Sequence, residues 1–200
     1  KHGVYTQEVP TSIVPAVNTT AGLPVVFGTA PVHLATDRAA ANKPVLCYSY
    51  AEAVQQLGFS KDWAKYTLCE VMYSQFALYN RGPVVFVNVL DPKTHKKSVA
   101  DKSVDIADRV ATLDAPVLLD TLKIKASAVG SELAAGKDYE AAYDDDGALV
   151  ITLLDDGTAS AASSLILAYD ELDPTAVDQD DIIGGISVSD GSVKGLECLN

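Results

Sequence analysis

The most conspicuous chemistry in this sequence is acidic. Asp144-Asp145-Asp146-Gly147 places carboxylates before a glycine, a composition that calcium loops share. A loop of the EF-hand type spaces its acids at alternate positions and needs a Glu later in the loop. Here the acids are consecutive, and Leu153 stands where that Glu would be. The pattern predicts a hairpin turn, with a weak surface cation site as the other reading. Gly22 to Gly28 is followed by no Gly-Lys-Ser/Thr and lacks the G-x-G-x-x-G spacing, so no phosphate loop is expected. Gly184-Gly185, after two isoleucines, reads as a turn or bulge at a domain junction. No serine occupies a G-x-S-x-G elbow. His2, His33 and His95 have no nucleophile in register and no metal-ligand spacing to Cys47, Cys69 or Cys198. Those cysteines, odd in number and set among apolar residues, read as buried free thiols of a reduced compartment. His95-Lys96-Lys97 reads as a solvated basic loop. Trp63 and the tyrosines after it read as core or inter-subunit packing. The expectation is no catalytic, metal or cofactor site, and hence no enzyme.

What the chain does carry is a strong structural pattern. Val84-Val85-Phe86-Val87, inside the run Gly82 to Leu90, is apolar without alternation, which suits a strand covered on both faces. Pro24-Val25-Val26-Phe27-Gly28 repeats that character and is expected beside it, with Val25 to Ala30 as core strand. Upstream of Gly82, Leu68, Val71 or Met72, Gln75 or Phe76, and Tyr79 share one face of a helix expected over 62–79. Asn80-Arg81-Gly82 should end it, the glycine taking positive φ. Pro44 to Tyr48 is a further short strand. Ser49-Tyr50-Ala51-Glu52 is a capping box, opening a helix that Gly58 stops.

From Lys93 onward the period changes to two. Leu122, Ile124 and Ala126 alternate with Lys123 and Lys125, and similar alternation recurs around Tyr139–Tyr143, Leu149–Leu153 and Leu165–Tyr169. Asp145-Asp146-Gly147 and Asp155-Asp156-Gly157 are expected to close hairpins between them. Ile182-Ile183-Gly184-Gly185-Ile186 then restores an unalternating apolar run. Charge changes at the same places. Residues 1–100 carry nine Lys and Arg against six Asp and Glu, whereas residues 101–181 carry five against nineteen, a net of −14 in a chain of net −12. Such an acidic surface repels nucleic acid and anionic membrane, so neither is expected as a partner. No run reaches the roughly 18 apolar residues that span a bilayer.

The expected fold class is α+β. An α/β layer domain, 23–92 plus 182–200, is interrupted by an acidic antiparallel β-sandwich or barrel, 93–181, and preceded by an extended arm and linker, 1–22. Gly3, Val4, Tyr5, Thr6, Gln7, Glu8 and Val9 form an alternating segment, tethered through Pro10 and Pro15 and able to pair with its own sheet or with another molecule's edge. With Met72 the sole methionine and an amphipathic stretch at 195–200, the chain reads as a fragment.

The segment Gly3-Val4-Tyr5-Thr6-Gln7-Glu8-Val9-Pro10 resembles the opening of contractile phage tail sheath proteins, from myophages and phage-tail-like bacteriocins. Leu23 to Ala30, Gly82 to Val89, the β-rich block ending in Tyr169 to Pro174, and Asp181 to Gly185 fit the same family in order and spacing. The resemblance implies a structural subunit that stacks as rings into a helical sheath around a tail tube protein, with baseplate and terminator proteins at its ends. It implies a homo-oligomer in the virion, assembled in the host cytoplasm, that contracts without a cofactor. It also implies that residues 3–9 join a neighbouring subunit's sheet and that the β-domain faces outward. The family's subunits are longer, and their C-terminal domain supplies the tube contacts and the partner strands. From the residues alone a second reading stands: the acidic β-domain as a binding module recognising a glycan or protein.

Overall fold

The computed structural model describes residues 22–188 and 191–199. The arm residues Gly3, Val4, Tyr5, Thr6, Gln7, Glu8 and Val9 lie outside them.

Strand β3 (Val84–Asn88) is buried at every position because it is central. It pairs in parallel with β1 (Val25–Gly28) and antiparallel with β2 (Pro44–Cys47). Val84 and Phe86 point with Val26, Val45 and Cys47 into a cluster closed by helix α1 (Tyr50–Leu57) and helix α2 (Thr67–Met72), through Ala53, Leu57, Leu68, Cys69 and Met72. Alternation sends Val85 and Val87 to the other face. Val25 and Leu46 flank Val85 in register and stay 39% and 41% exposed.

Local chemistry explains where the helices begin and end. Ser49 Oγ accepts the Glu52 amide at 3.3 Å, while the Glu52 carboxylate reaches past Ser49 to the Tyr48 amide at 2.7 Å. Gly58 ends α1 at φ 73°, and a Cβ there would lie 2.2 Å from the Pro31 carbonyl oxygen, so only glycine fits. The helix expected over 62–79 starts later. Residues 62–66 form a turn, held by Lys65 and Tyr66 amides on the Asp62 carbonyl. Thr29, just past β1, then takes the first amides of α2: its Oγ1 accepts from Thr67 N and its carbonyl from Leu68 N. A strand end thus fixes the helix start, which helical periodicity does not reveal. The second half, Tyr73–Leu78, is a π-helix. Asn80, at φ 49°, makes the left-handed exit that the sequence assigned to Gly82.

Beyond β3 lie two three-stranded antiparallel sheets. One orders β4 (Lys96–Asp105), β9 (Ser164–Leu172) and β6 (Lys123–Lys125) as β4-β9-β6. The other orders β5 (Val110–Leu113), β8 (Leu149–Leu153) and β7 (Tyr139–Tyr143) as β5-β8-β7. Ile124, Leu165, Leu167 and Tyr169 of the first share one buried cluster with Ala111, Tyr139, Leu149, Ile151 and Leu153 of the second. Asp145-Asp146-Gly147 does turn a hairpin, between β7 and β8. Asp155-Asp156-Gly157 does not, because β8 and β9 belong to different sheets and the link must cross between them. The expected strand over 121–126 shrinks to β6, preceded by a 3-10 turn at Leu119–Thr121.

The chain then leaves the sheets through helix α3 (Gln179–Ile183), capped by the Asp178 carboxylate on the Asp180 and Asp181 amides. The apolar run at 182–186 is no core strand. Its first isoleucines end α3, and Ile186 sits in the two-residue strand β10 (Gly185–Ile186), paired with β11 (Val193–Lys194). Ile182, Ile183 and Ile186 are 41%, 59% and 65% exposed. Leu118 and Leu172, from within 93–181, belong to the first cluster rather than the second.

Candidate functional site

Among the described residues, the side chains singled out for chemistry take structural positions; His2 lies outside them. Asp144 Oδ1 accepts the amides of Asp146 and Ala148, so the acid triplet is an Asx-type turn with one carboxylate engaged. Among the described residues, no group of three or more His, Cys, Asp or Glu is placed to hold a metal ion. Cys47 and Cys69 are buried free thiols, and Cys198 is half-buried. Burial, then the Glu52 charge, pushes the Cys47 thiol up to about 11; burial does the same to Cys69, against the Ser60 amide that hydrogen-bonds its sulfur. Thiols so poised are not nucleophiles near neutrality. Trp63 and Tyr73, both partly exposed, tilt against each other with centroids 5.8 Å apart.

Sequence reasoning missed three polar residues that organise the fold. Asn88, 1% exposed at the end of β3, accepts the Ala30 and Leu90 amides on Oδ1 and donates from Nδ2 to the Leu90 carbonyl. Asp138, just before β7, accepts the amides of Ala134 and Thr158 and the Thr158 hydroxyl, and these bonds hold its carboxyl below the usual carboxylate range. Asp181 binds the Lys194 ammonium at 2.9 Å, His95 Nε2 at 3.2 Å and the Asp178 amide at 3.1 Å. Burial pushes the Asp181 carboxyl up, but those partners outweigh it and hold it low. His95 is thus neither a basic-loop residue nor a ligand. Its Nδ1 accepts the Asp91 amide at 3.0 Å, and its ring ties the exit of β3 to the returning chain. The sole sequence signal was the Asp-x-x-Asp spacing at 178–181, which resembles a capping box.

Two surface features stand out. A cleft of about 790 Å³ runs along the seam of the two clusters, lined by His33, Tyr66, Tyr143, Asp144, Asp145 and Glu171 among others. The C-terminal segment also exposes Ile182, Ile183, Ile186, Val188, Val193, Leu196 and Leu199 together, each at least 39% exposed. Helix α3, the β10–β11 pair and the 3-10 turn at Gly195–Leu199 contact one another, so these side chains belong to one small unit. Apolar groups so concentrated mark an interaction surface more often than ordinary solvent-facing structure.

No protein-family model and no solved structure matches the chain. One curated protein does: the tail sheath protein of Burkholderia phage BcepMu is 31% identical over 201 residues, 99% of this chain. The chain spans 39% of that relative's length. Over nearly its whole extent, this chain is a relative of a phage tail sheath protein.

Proposed function

We propose that this chain is part of a structural subunit of a contractile tail sheath, which polymerises around a tail tube and shortens to drive the tube through a cell envelope. The observation that carries the reading is the 31% identity to a tail sheath protein across 99% of the chain. In this reading the protein is no enzyme and uses no cofactor. Its partners are copies of itself in stacked rings, the tube protein, and baseplate and terminator proteins. Its place is the virion, after assembly in the host cytoplasm.

The architecture proposed for that role is a core domain of 23–92 and 182–200, interrupted by an outward-facing acidic domain of 93–181. One contact supports a return of the chain to its first part, the Gly195 amide on Asn42 Oδ1 at 3.1 Å, while Asp181 pins that returning segment at the boundary through Lys194 and His95. The exposed isoleucines and leucines of 182–199, with Val25 and Leu46 on the second sheet face, support a core domain completed by further polypeptide. Residues 3–9 serve as the strand that joins a neighbour's sheet.

Electron microscopy of the polypeptide expressed with the remainder of its reading frame tests the reading. Long hollow cylinders are expected, and their loss on removal of residues 1–20, with melting near normal, assigns the arm. Uniformly monomeric particles from the complete protein would sink the proposal.

A further inference from the structure

We propose that the packing of His33 against the β7–β8 hairpin is an acid-sensitive seam: the neutral imidazole keeps the two clusters docked, and its protonation frees the hairpin.

His33 lies in the 3-10 turn Val32–Leu34 after β1 and is 7% exposed. Its ring sits against Tyr66, centroids 6.0 Å apart, and edge-on to Tyr143 of β7 at 5.3 Å. The next residue, Leu34, meets the tip of the same hairpin, where a Cβ added to Gly147 would lie 3.4 Å from Leu34 Cδ1. Two adjacent side chains of the first part therefore seat one hairpin of the second. His33 Nδ1 is buried and finds no hydrogen-bond partner among the described residues. A neutral ring tolerates that by leaving Nδ1 unprotonated. An imidazolium cannot, since both nitrogens must then donate and the charge must be solvated.

The surrounding charges do not reverse this. Arg38, from the loop that follows, repels a cation on His33. The turn before α2 presents Lys61, Asp62, Lys65 and Tyr66 to the cleft, with Asp62 neutralised by Lys65 at 2.9 Å. The hairpin presents Tyr143, Asp144, Asp145 and Asp146, and the remaining wall presents Asp114, Glu171 and Asp173. These carboxylates favour a cation, yet burial first and Arg38 second hold the imidazole at about 4. A histidine free of the seam titrates near 6.5. The undocked form therefore binds the proton more readily, and docking weakens as pH falls through 6.5, the loss being complete below 4. From those two values the docking equilibrium falls roughly 30-fold by pH 5 and about 300-fold in the acid limit.

The test uses the full chain, with nuclear magnetic resonance of the His33 ring and amide hydrogen exchange corrected for intrinsic rates. His33 should titrate below 5. Protection at Leu34 and Ala35 should drop about 30-fold between pH 7.5 and pH 5, while the amides of Phe86 and Ile151 keep theirs. His33→Phe, which keeps the ring and removes the proton, should abolish the drop. The proposal is overturned if His33 titrates near 6.5 with the seam unchanged, or if His33→Phe shows the same drop. Should His33→Phe fold poorly, His33→Leu and the wild-type ring titration decide between the same outcomes.

Discussion

In the paired β4-β9-β6 and β5-β8-β7 sheets, alternation seals one face of the central strands β8 and β9: Leu149, Ile151, Leu165 and Leu167 are all at 0% exposure, while Thr152 faces out, and the edge strand β4 has no buried residue. The β1-β3-β2 sheet is handled differently. Helices α1 and α2 cover one face, and on the other Val25 and Leu46 stay partly bare beside a buried Val85. Two sheets whose central strands alternate apolar and polar residues can close on each other. A sheet that is apolar on both faces needs a layer on each side. The second part therefore closes most of its apolar surface between its own two sheets, with Leu118 and Leu172 packed into the first cluster, while the first part leaves apolar side chains on its second sheet face. The acid excess of the sequence falls in the second part.

The sharpest way to break this comparison is to excavate each core. Phe86→Ala should cost roughly 3–5 kcal/mol, and Leu167→Ala roughly 2–5 kcal/mol, since both side chains are fully buried and leave cavities. If the parts unfold as separate cooperative units, calorimetry should show each substitution lowering one of two transitions and leaving the other in place. One shared transition, lowered by either change, would mean that Leu118 and Leu172 bind the clusters into a single unit.

A smaller, local effect is expected at the return of the chain. Asp181→Ala removes the carboxylate that Lys194 and His95 share, leaving two donors facing a nearly buried gap. Amide exchange should show protection lost around Gly184, Ile186 and Lys194, with Ile151 and Leu167 unaffected. Equal loss in the second core would refute a local clamp. The Asp181 carboxyl titrates low, so this clamp is present above the ordinary carboxylate range and is released as pH falls below it.

How much of this was legible beforehand follows the range of each interaction. The valine run of β3, the Ser49 cap and the alternation of β8 and β9 depend on neighbours in sequence, and the residue types announce them. The start of α2 depends on Thr29, thirty-eight residues from Thr67, and no periodicity contains that. The exposure of the run at 182–186 was not legible for a related reason: apolar composition says what wants burial, not whether the partner surface is at hand. Asn88, Asp138 and Asp181 escaped because a polar residue serving distant amides looks like any surface polar residue. The arm at 3–9 rests on its alternating sequence pattern alone.

The smallest effect separates the turn from the metal reading of the acid triplet. Asp145 and Asp146 are exposed, and neither carboxylate takes a described hydrogen bond, whereas Asp144 Oδ1 accepts two amides. Changing Asp145 and Asp146 to Asn should therefore move stability within about ±0.5 kcal/mol, the usual span for surface positions. Any shift should tend toward stabilisation, because two like charges are removed from the acidic cleft wall. Asp144→Asn keeps the accepting oxygen and should also be mild, while Asp144→Ala loses both turn bonds and should cost more than the other changes. Denaturant titration of the three variants orders them. A calcium-dependent rise in melting temperature that vanishes in the Asp145→Asn, Asp146→Asn double variant would instead mean that the consecutive carboxylates gather around a cation. The hairpin would then be metal-stabilised rather than held by Asp144 alone.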